Sequence, residues 1–315
     1  MKKLKYINFT ALLLAFCMIY SCSEPYVPNT VEEDQQFVIE GFVEAGDNPF
    51  PVYVIVSKSL PYIAEFGPET FNTIFIDSAE VVVNDGDKDV SLIRLCANDT
   101  NLPPEIAEAV ADFFGIEISD MAPNICVYVD LFDQVIKEVG RTYDLTVTIG
   151  ENQITGSTTN PRHVPLTELR FDEPPGEPTD SLARLWVTAS DPEGTDYYRY
   201  LTATNDSTFV APFSSVNDDT FFDGQSFEFP LDRAAYPTEE VDFNNFGLWT
   251  RGDSAHIKWM NLDKIHFDFW NTRDFAANNG GPFANYTRIT GNLDGALGVW
   301  GGYSVSYYSA LVPPR

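Results

Sequence analysis

Residues 79–95 read AEVVVNDGDKDVSLIRL, and the fold class follows from them. Ala79 to Val83 and Val90 to Leu95 are rich in apolar residues, with Val81, Val82, Val83, Val90 and Ile93 β-branched, and they flank Asn84-Asp85-Gly86, a sequence that turns a chain tightly back on itself. The reading is a β-hairpin. The same pattern continues toward the N-terminus: Gln36 to Glu44 sets Phe37, Ile39 and Phe42 around Glu40, and Pro51 to Ser57 alternates Val52, Val54 and Val56 with Tyr53 and Ile55. Toward the C-terminus, Cys126 to Asp130, Thr142 to Ile149 and Gln153 to Thr158 read as strands, the last two joined by Gly150-Glu151-Asn152. Leu182 to Ser190 and Tyr197 to Thr204 are expected to form a second hairpin across Asp191-Pro192-Glu193-Gly194. Ser226 to Phe229, Ala255 to Met260 and Tyr303 to Tyr308 complete a mostly β chain.

Two segments change period. From Leu102 to Phe114, Pro103 and Pro104 open a helix, Glu105 suits its positive end, Ile106, Val110 and Phe113 share a face, and Gly115 stops it. From Leu262 to Ala276, Ile265, Phe269, Thr272 and Ala276 have helical spacing, although Ile265, Phe267 and Phe269 also alternate. The length and the Gly280-Gly281 stop favour a helix there. Asn160-Pro161 and the acidic, proline-rich Asp172 to Asp180 mark a boundary, and the chain is longer than one core usually serves. The expectation is two β-rich domains, 36–160 with a short helical insertion and 161–315 with one helix.

The N-terminus carries an address. Lys2, Lys3 and Lys5 precede an apolar run from Ala11 to Tyr20, with Ser21 before Cys22. This resembles a lipoprotein signal over residues 1–21, cleaved before Cys22, with that cysteine acylated and 22–35 an acidic tether. An uncleaved span and an ordinary secretory signal with a free Cys22 are the alternatives; the apolar run is about half the roughly 20 residues a span needs.

Charge narrows the partners. The formal net charge is −28, from 19 basic and 47 acidic residues, and loss of the three signal lysines makes it more negative. Nucleic acid is excluded, because phosphate would be repelled and no basic stripe releases counterions. Anionic lipid repels the same field, which leaves membrane attachment to acyl chains. Of four cysteines, Cys17 leaves with the signal and Cys22 takes lipid. Cys96 and Cys126 are then expected to pair in an oxidising compartment, closing a loop of roughly thirty residues worth about 3–4 kcal/mol by chain entropy.

The lipobox cysteine, FVIEGFVE (37–44), DSAEVVVNDG (77–86), GRTYDLTVTIG (140–150) with ITGSTTNP (154–161), DPEGTDYYRY (191–200), FFDG (221–224) and ALGVWGGY (296–303) follow one another in an order that resembles the DUF4249 family. The resemblance spans nearly the whole chain after the signal. It implies an outer-membrane lipoprotein of Bacteroidota with an Ig/transthyretin-like sandwich as its first domain, found beside TonB-dependent transporters as an accessory of uptake. It brings no catalytic residues.

Chemistry-bearing motifs are few. Nucleophile elbows, phosphate loops and dinucleotide fingerprints are absent, and no cofactor is expected. His163, His256 and His266 lack ligand spacing. Asp85, Asp87 and Asp89 mimic the first ligands of a calcium loop, but no glycine stands at its sixth position and Cys96 holds the twelfth. Asp218, Asp219 and Asp223, with Asn217 and Gly224, form a second acidic turn and a second weak calcium candidate. Arg251-Gly252-Asp253 is ordinary turn chemistry before a strand, and the three Asp-Ser-X triplets at 77, 180 and 253 are short O-glycosylation patterns. The functional expectation is a non-catalytic binding or accessory lipoprotein. A hydrolase acting on exported glycans or peptides and a structural envelope protein are the alternatives.

Overall fold

Strands from the two ends of the described chain lie side by side in the central sheet. The computed structural model describes residues 35–47, 49–60, 73–96, 125–176, 179–213, 215–236, 239, 245–278 and 288–315. In chain order the elements are β1 (Phe37–Gly46), β2 (Tyr53–Lys58), β3 (Glu80–Asn84), β4 (Asp89–Ser91), β5 (Ile93–Cys96), β6 (Cys126–Val129), β7 (Thr142–Ile149) and β8 (Asn152–Thr159). They continue with β9 (Leu166–Asp172), β10 (Leu182–Ser190), β11 (Tyr197–Thr204), β12 (Val216–Asp218), β13 (Ser226–Pro230), β14 (Trp249–Thr250) and β15 (Ser254–Leu262). A single described α-helix, α1 (Lys264–Asn278), then β16 (Leu293–Asp294) and β17 (Leu297–Leu311) complete the order.

The central sheet runs β12-β11-β15-β17-β1-β2-β6-β5, with β1 parallel to β17 and its other pairs antiparallel. Side chains alternate across it, so each strand supplies two cores. On one face, Ile39, Val43, Val54, Tyr128 and Trp300 meet Val81, Leu145 and Ile154 of a second sheet, ordered β16-β8-β7-β3-β4. Farther along the same face, Tyr198, Ile257 and Trp259 meet Leu185, Val187 and Trp249 of a third sheet built on β10, β13, β14 and β9. On the opposite face, Phe42, Met260, Val299 and Val305 pack with Phe267 and Phe269 of α1. Fully burying a residue such as Ile39 or Val54 contributes about 1.5–3 kcal/mol. Two sandwiches thus share one floor.

That shared floor bears on domain organisation. Gln35–Arg315 clusters as one compact unit, and the central sheet mixes strands from both sides of residue 160. The division into 36–160 and 161–315 is not confirmed. Between the two upper sheets the chain crosses the floor as Pro161 to Val164, held by Ser304 Oγ donating to the Pro161 carbonyl at 2.6 Å and Val164 N–H donating to Asn261 Oδ1 at 2.9 Å.

Two expected pairings differ. Leu182–Ser190 and Tyr197–Thr204 are strands with those bounds, but they do not pair with each other: β10 lies in the third sheet and β11 in the central one. Their inward residues face each other across a core instead, since Leu185 and Tyr198 bury in one cluster. Val90 to Leu95 is not one strand either. Leu92 interrupts it, so β4 pairs with β3 while β5 passes to the central sheet and pairs with β6.

The helix at the second ambiguous segment is real and begins at Lys264. Asp263 caps it, its Oδ1 accepting from the His266 N–H at 2.6 Å. The helix expected at 102–114, the signal and most of the tether lie outside the described residues.

Candidate functional site

Cys22 lies outside the described residues, so its acylation stays an expectation. Cys96 and Cys126 form a disulfide between directly opposed residues of β5 and β6. The stretch between them, 97–124, is likewise outside the description.

The acidic candidates separate into two groups. At the first hairpin tip, Asp85 Oδ1 accepts from the N–H groups of Asp87 and Lys88, both at 3.0 Å, and Oδ2 accepts from Ile136 N–H at 3.1 Å. These bonds, with the nearby Arg141 charge, outweigh burial and hold its carboxyl below the usual range. Asp87 pairs with Arg141 at 3.0 Å and Asp89 accepts from Asn84 Nδ2 at 2.7 Å. Each carboxylate there already has a turn-forming partner.

The second group gains members that the spacing did not reveal. Asp219 comes together with Asp191 and Asp196, their ligand atoms within 4.8 Å of one another, and all three are buried. Asp196 takes the Arg162 guanidinium, which also reaches the carbonyls of Pro192, Glu193 and Gly194 at 2.9 to 3.0 Å. Asp191 accepts from the Tyr198 hydroxyl and from Gly224 N–H, and Asp219 Oδ2 accepts from Asp196 N–H at 2.7 Å. Burial, reinforced by its acidic neighbours, raises the Asp219 carboxyl. Asp223 and Asp218 cap backbone N–H groups of Gly194 and Thr220. Asp191, Asp219 and Asp223 tie the 191–196 turn to the 219–224 turn, and Arg162 braces the first of the two.

The histidines stay apart. His163 Nε2 meets Ser306 Oγ at 2.5 Å and His256 Nδ1 meets Ser309 Oγ at 2.8 Å, while His266 is buried on the first turn of α1. In the 251–253 turn, Arg251 donates to the Pro313 carbonyl and Asp253 accepts from Asn205.

A denser polar site lies between α1 and the central sheet. Arg199 projects from β11 with its guanidinium carbon 3.4 Å from the Trp270 ring centroid, and Arg273 approaches the same ring at 5.1 Å. Arg199 is only 7% exposed. Its Nε donates to Ser215 Oγ at 3.3 Å, and Ser215 Oγ donates to Asp274 at 3.3 Å. Burial pushes its pKa down to about 10 against the Asp274 and Glu40 charges. Neither terminal nitrogen of Arg199 has an acceptor among the described residues. Glu40, on β1, is half-buried and likewise makes no hydrogen bond or ion pair there. Burial raises its carboxyl, while Arg273 and Arg199 oppose that rise.

Beside it, Glu44 accepts from Lys258 at 2.8 Å, Tyr303 at 2.6 Å and Tyr307 at 3.0 Å, a buried ion pair with both carboxylate oxygens used. Sequence reading passed over Arg199 and Glu40 as site residues. The available signal was Glu40 and Glu44 recurring at even spacing on an otherwise apolar strand, which puts both carboxylates on one face.

No curated protein sequence matches the chain. The family model described as a domain of unknown function (DUF4249) matches residues 23–309. With nearly the whole chain covered, the protein belongs to the DUF4249 family.

Proposed function

We propose that this chain is an outer-membrane-anchored lipoprotein that binds a small nutrient as a non-catalytic accessory of TonB-dependent uptake. The binding reading is carried by Arg199, a buried cation stacked on Trp270 whose terminal nitrogens lack acceptors among the described residues. The side chain is anchored through Nε and its face on Trp270, while its terminal nitrogens are not among the fully buried, unpartnered atoms, so the fork stays open to a ligand. The anchor in this reading is the acylated Cys22, with 22–35 as its tether. No helix of the described residues is long and apolar enough to cross a membrane.

Metabolic labelling with a palmitate analogue tests the anchor. The wild-type chain is expected to take the label and sediment with outer membranes, and Cys22→Ser to lose both properties. A Cys22→Ser chain that stays labelled and membrane-bound overturns the reading.

A further inference from the structure

We propose that Arg199, Trp270, Arg273 and Glu40 form a recognition site for a small organic carboxylate that also carries a hydrogen-bond donor, such as the ammonium of an amino acid. The inference rests on the binding reading above and adds the ligand class.

A guanidinium presents its terminal nitrogens as a planar fork that matches a carboxylate with two parallel bonds. The fork of Arg199 is already oriented. Trp270 fixes its plane from one side at 3.4 Å, and Ser215 takes Nε, so a ligand would not have to order a flexible side chain. Ser215 is itself held by Asp274. Arg273, exposed and paired with the neighbouring Asp274 at 3.3 Å, adds a second positive charge beside the same ring.

Glu40 supplies the opposite sign. It lies close enough for its charge to act on Arg199 and Arg273, yet no nitrogen of either reaches ion-pair distance. Glu40, without a hydrogen bond or ion pair, and Arg199, with its terminal nitrogens unspent, are together complementary to a molecule bearing both charges. Trp270 is itself half-buried, which gives an apolar group on such a molecule a surface to rest on. A phosphate, like a carboxylate without an ammonium, would meet the positive charges but be repelled by Glu40, so the arrangement favours a carboxylate that carries its own positive group.

Isothermal titration of the purified, detergent-solubilised protein with L-phenylalanine, succinate and inorganic phosphate tests this. L-phenylalanine is expected to bind in the millimolar range or tighter and phosphate more weakly. Arg199→Lys, which keeps charge but loses the fork, is expected to weaken binding at least about tenfold. Should that buried variant fail to fold, Glu40→Gln and Arg273→Met, at more exposed positions, are expected to weaken L-phenylalanine binding several-fold while the melting temperature stays near wild type. Absence of binding by both carboxylates, phosphate binding more tightly than either, or binding indifferent to all folded variants overturns the proposal. Loss of the ligand class leaves the transporter partnership standing, since that is read by co-purification.

Discussion

Trp270 donates its indole N–H to Nε2 of His266 at 2.7 Å, and this contact fixes the state of the histidine. Indole nitrogen is only a donor, so Nε2 must be the unprotonated, accepting nitrogen and the proton sits on Nδ1, which faces the Gly302 carbonyl at 3.3 Å. The ring is neutral. It stacks on Phe42 with centroids 4.9 Å apart, and burial, helped by the positive Arg199, pushes its pKa down to about 3.

Acid should therefore weaken the fold through His266. Its folded pKa lies below the unfolded value of about 6.5, so its full contribution is present above pH 6.5 and is lost as pH falls toward 3, at about 1.4 kcal/mol per pH unit. Asp263 and Glu40, raised mainly by burial, act with the opposite sign. Comparison with His266→Asn separates these effects. The stability difference between wild type and variant, from urea unfolding, should shrink steadily from pH 6.5 to 4.5; a pH-independent difference contradicts the assignment.

Gly301 makes room for that ring. A Cβ there would sit 2.6 Å from His266 Cγ and 2.7 Å from Nδ1. Gly301→Ala should cost about 1–3 kcal/mol by displacing the ring and with it α1. In denaturant melts the double variant Gly301→Ala/His266→Ala should lose less than the two single losses combined; strict additivity would show that the two positions are not in contact.

Lys258→Met leaves Glu44 buried at 2% exposure without its counter-charge. The expected loss is about 3–5 kcal/mol, with much of it recovered in Lys258→Met/Glu44→Gln, whose amide carbonyl accepts from one of the Tyr303 and Tyr307 hydroxyls while its NH2 donates to the other. A Lys258→Met chain as stable as wild type refutes the pairing.

The Cys96–Cys126 bridge spans a sequence separation of 30. Replacing both cysteines with serine should lower stability by about 3–4 kcal/mol. Reductant should lower the melting temperature of wild type and leave the double variant unchanged; a wild type indifferent to reductant, with both thiols shown to be free, opposes the prediction.

The strands were legible wherever one face is buried. Thr142–Ile149 and Leu182–Ser190 announce themselves because inward and outward residues alternate against a core. Pairing was not legible. The 191–196 turn looks like a hairpin turn in sequence, but Arg162, about thirty residues earlier, anchors it so that β10 and β11 enter different sheets. Short edge strands such as Val216–Asp218 and Leu293–Asp294 carry too few residues for a period to show. The candidate site was equally hidden, since Arg199 and Glu40 stand far apart in sequence and meet only through β15, β17 and β1 lying side by side.

Affinity purification of the tagged protein from its native outer membrane in mild detergent, followed by mass spectrometry, tests the central claim most directly. The account predicts reproducible recovery of a TonB-dependent transporter with the wild-type chain and its loss with Cys22→Ser. Isolation of the acylated wild type alone, with no transporter in repeated preparations, would contradict it.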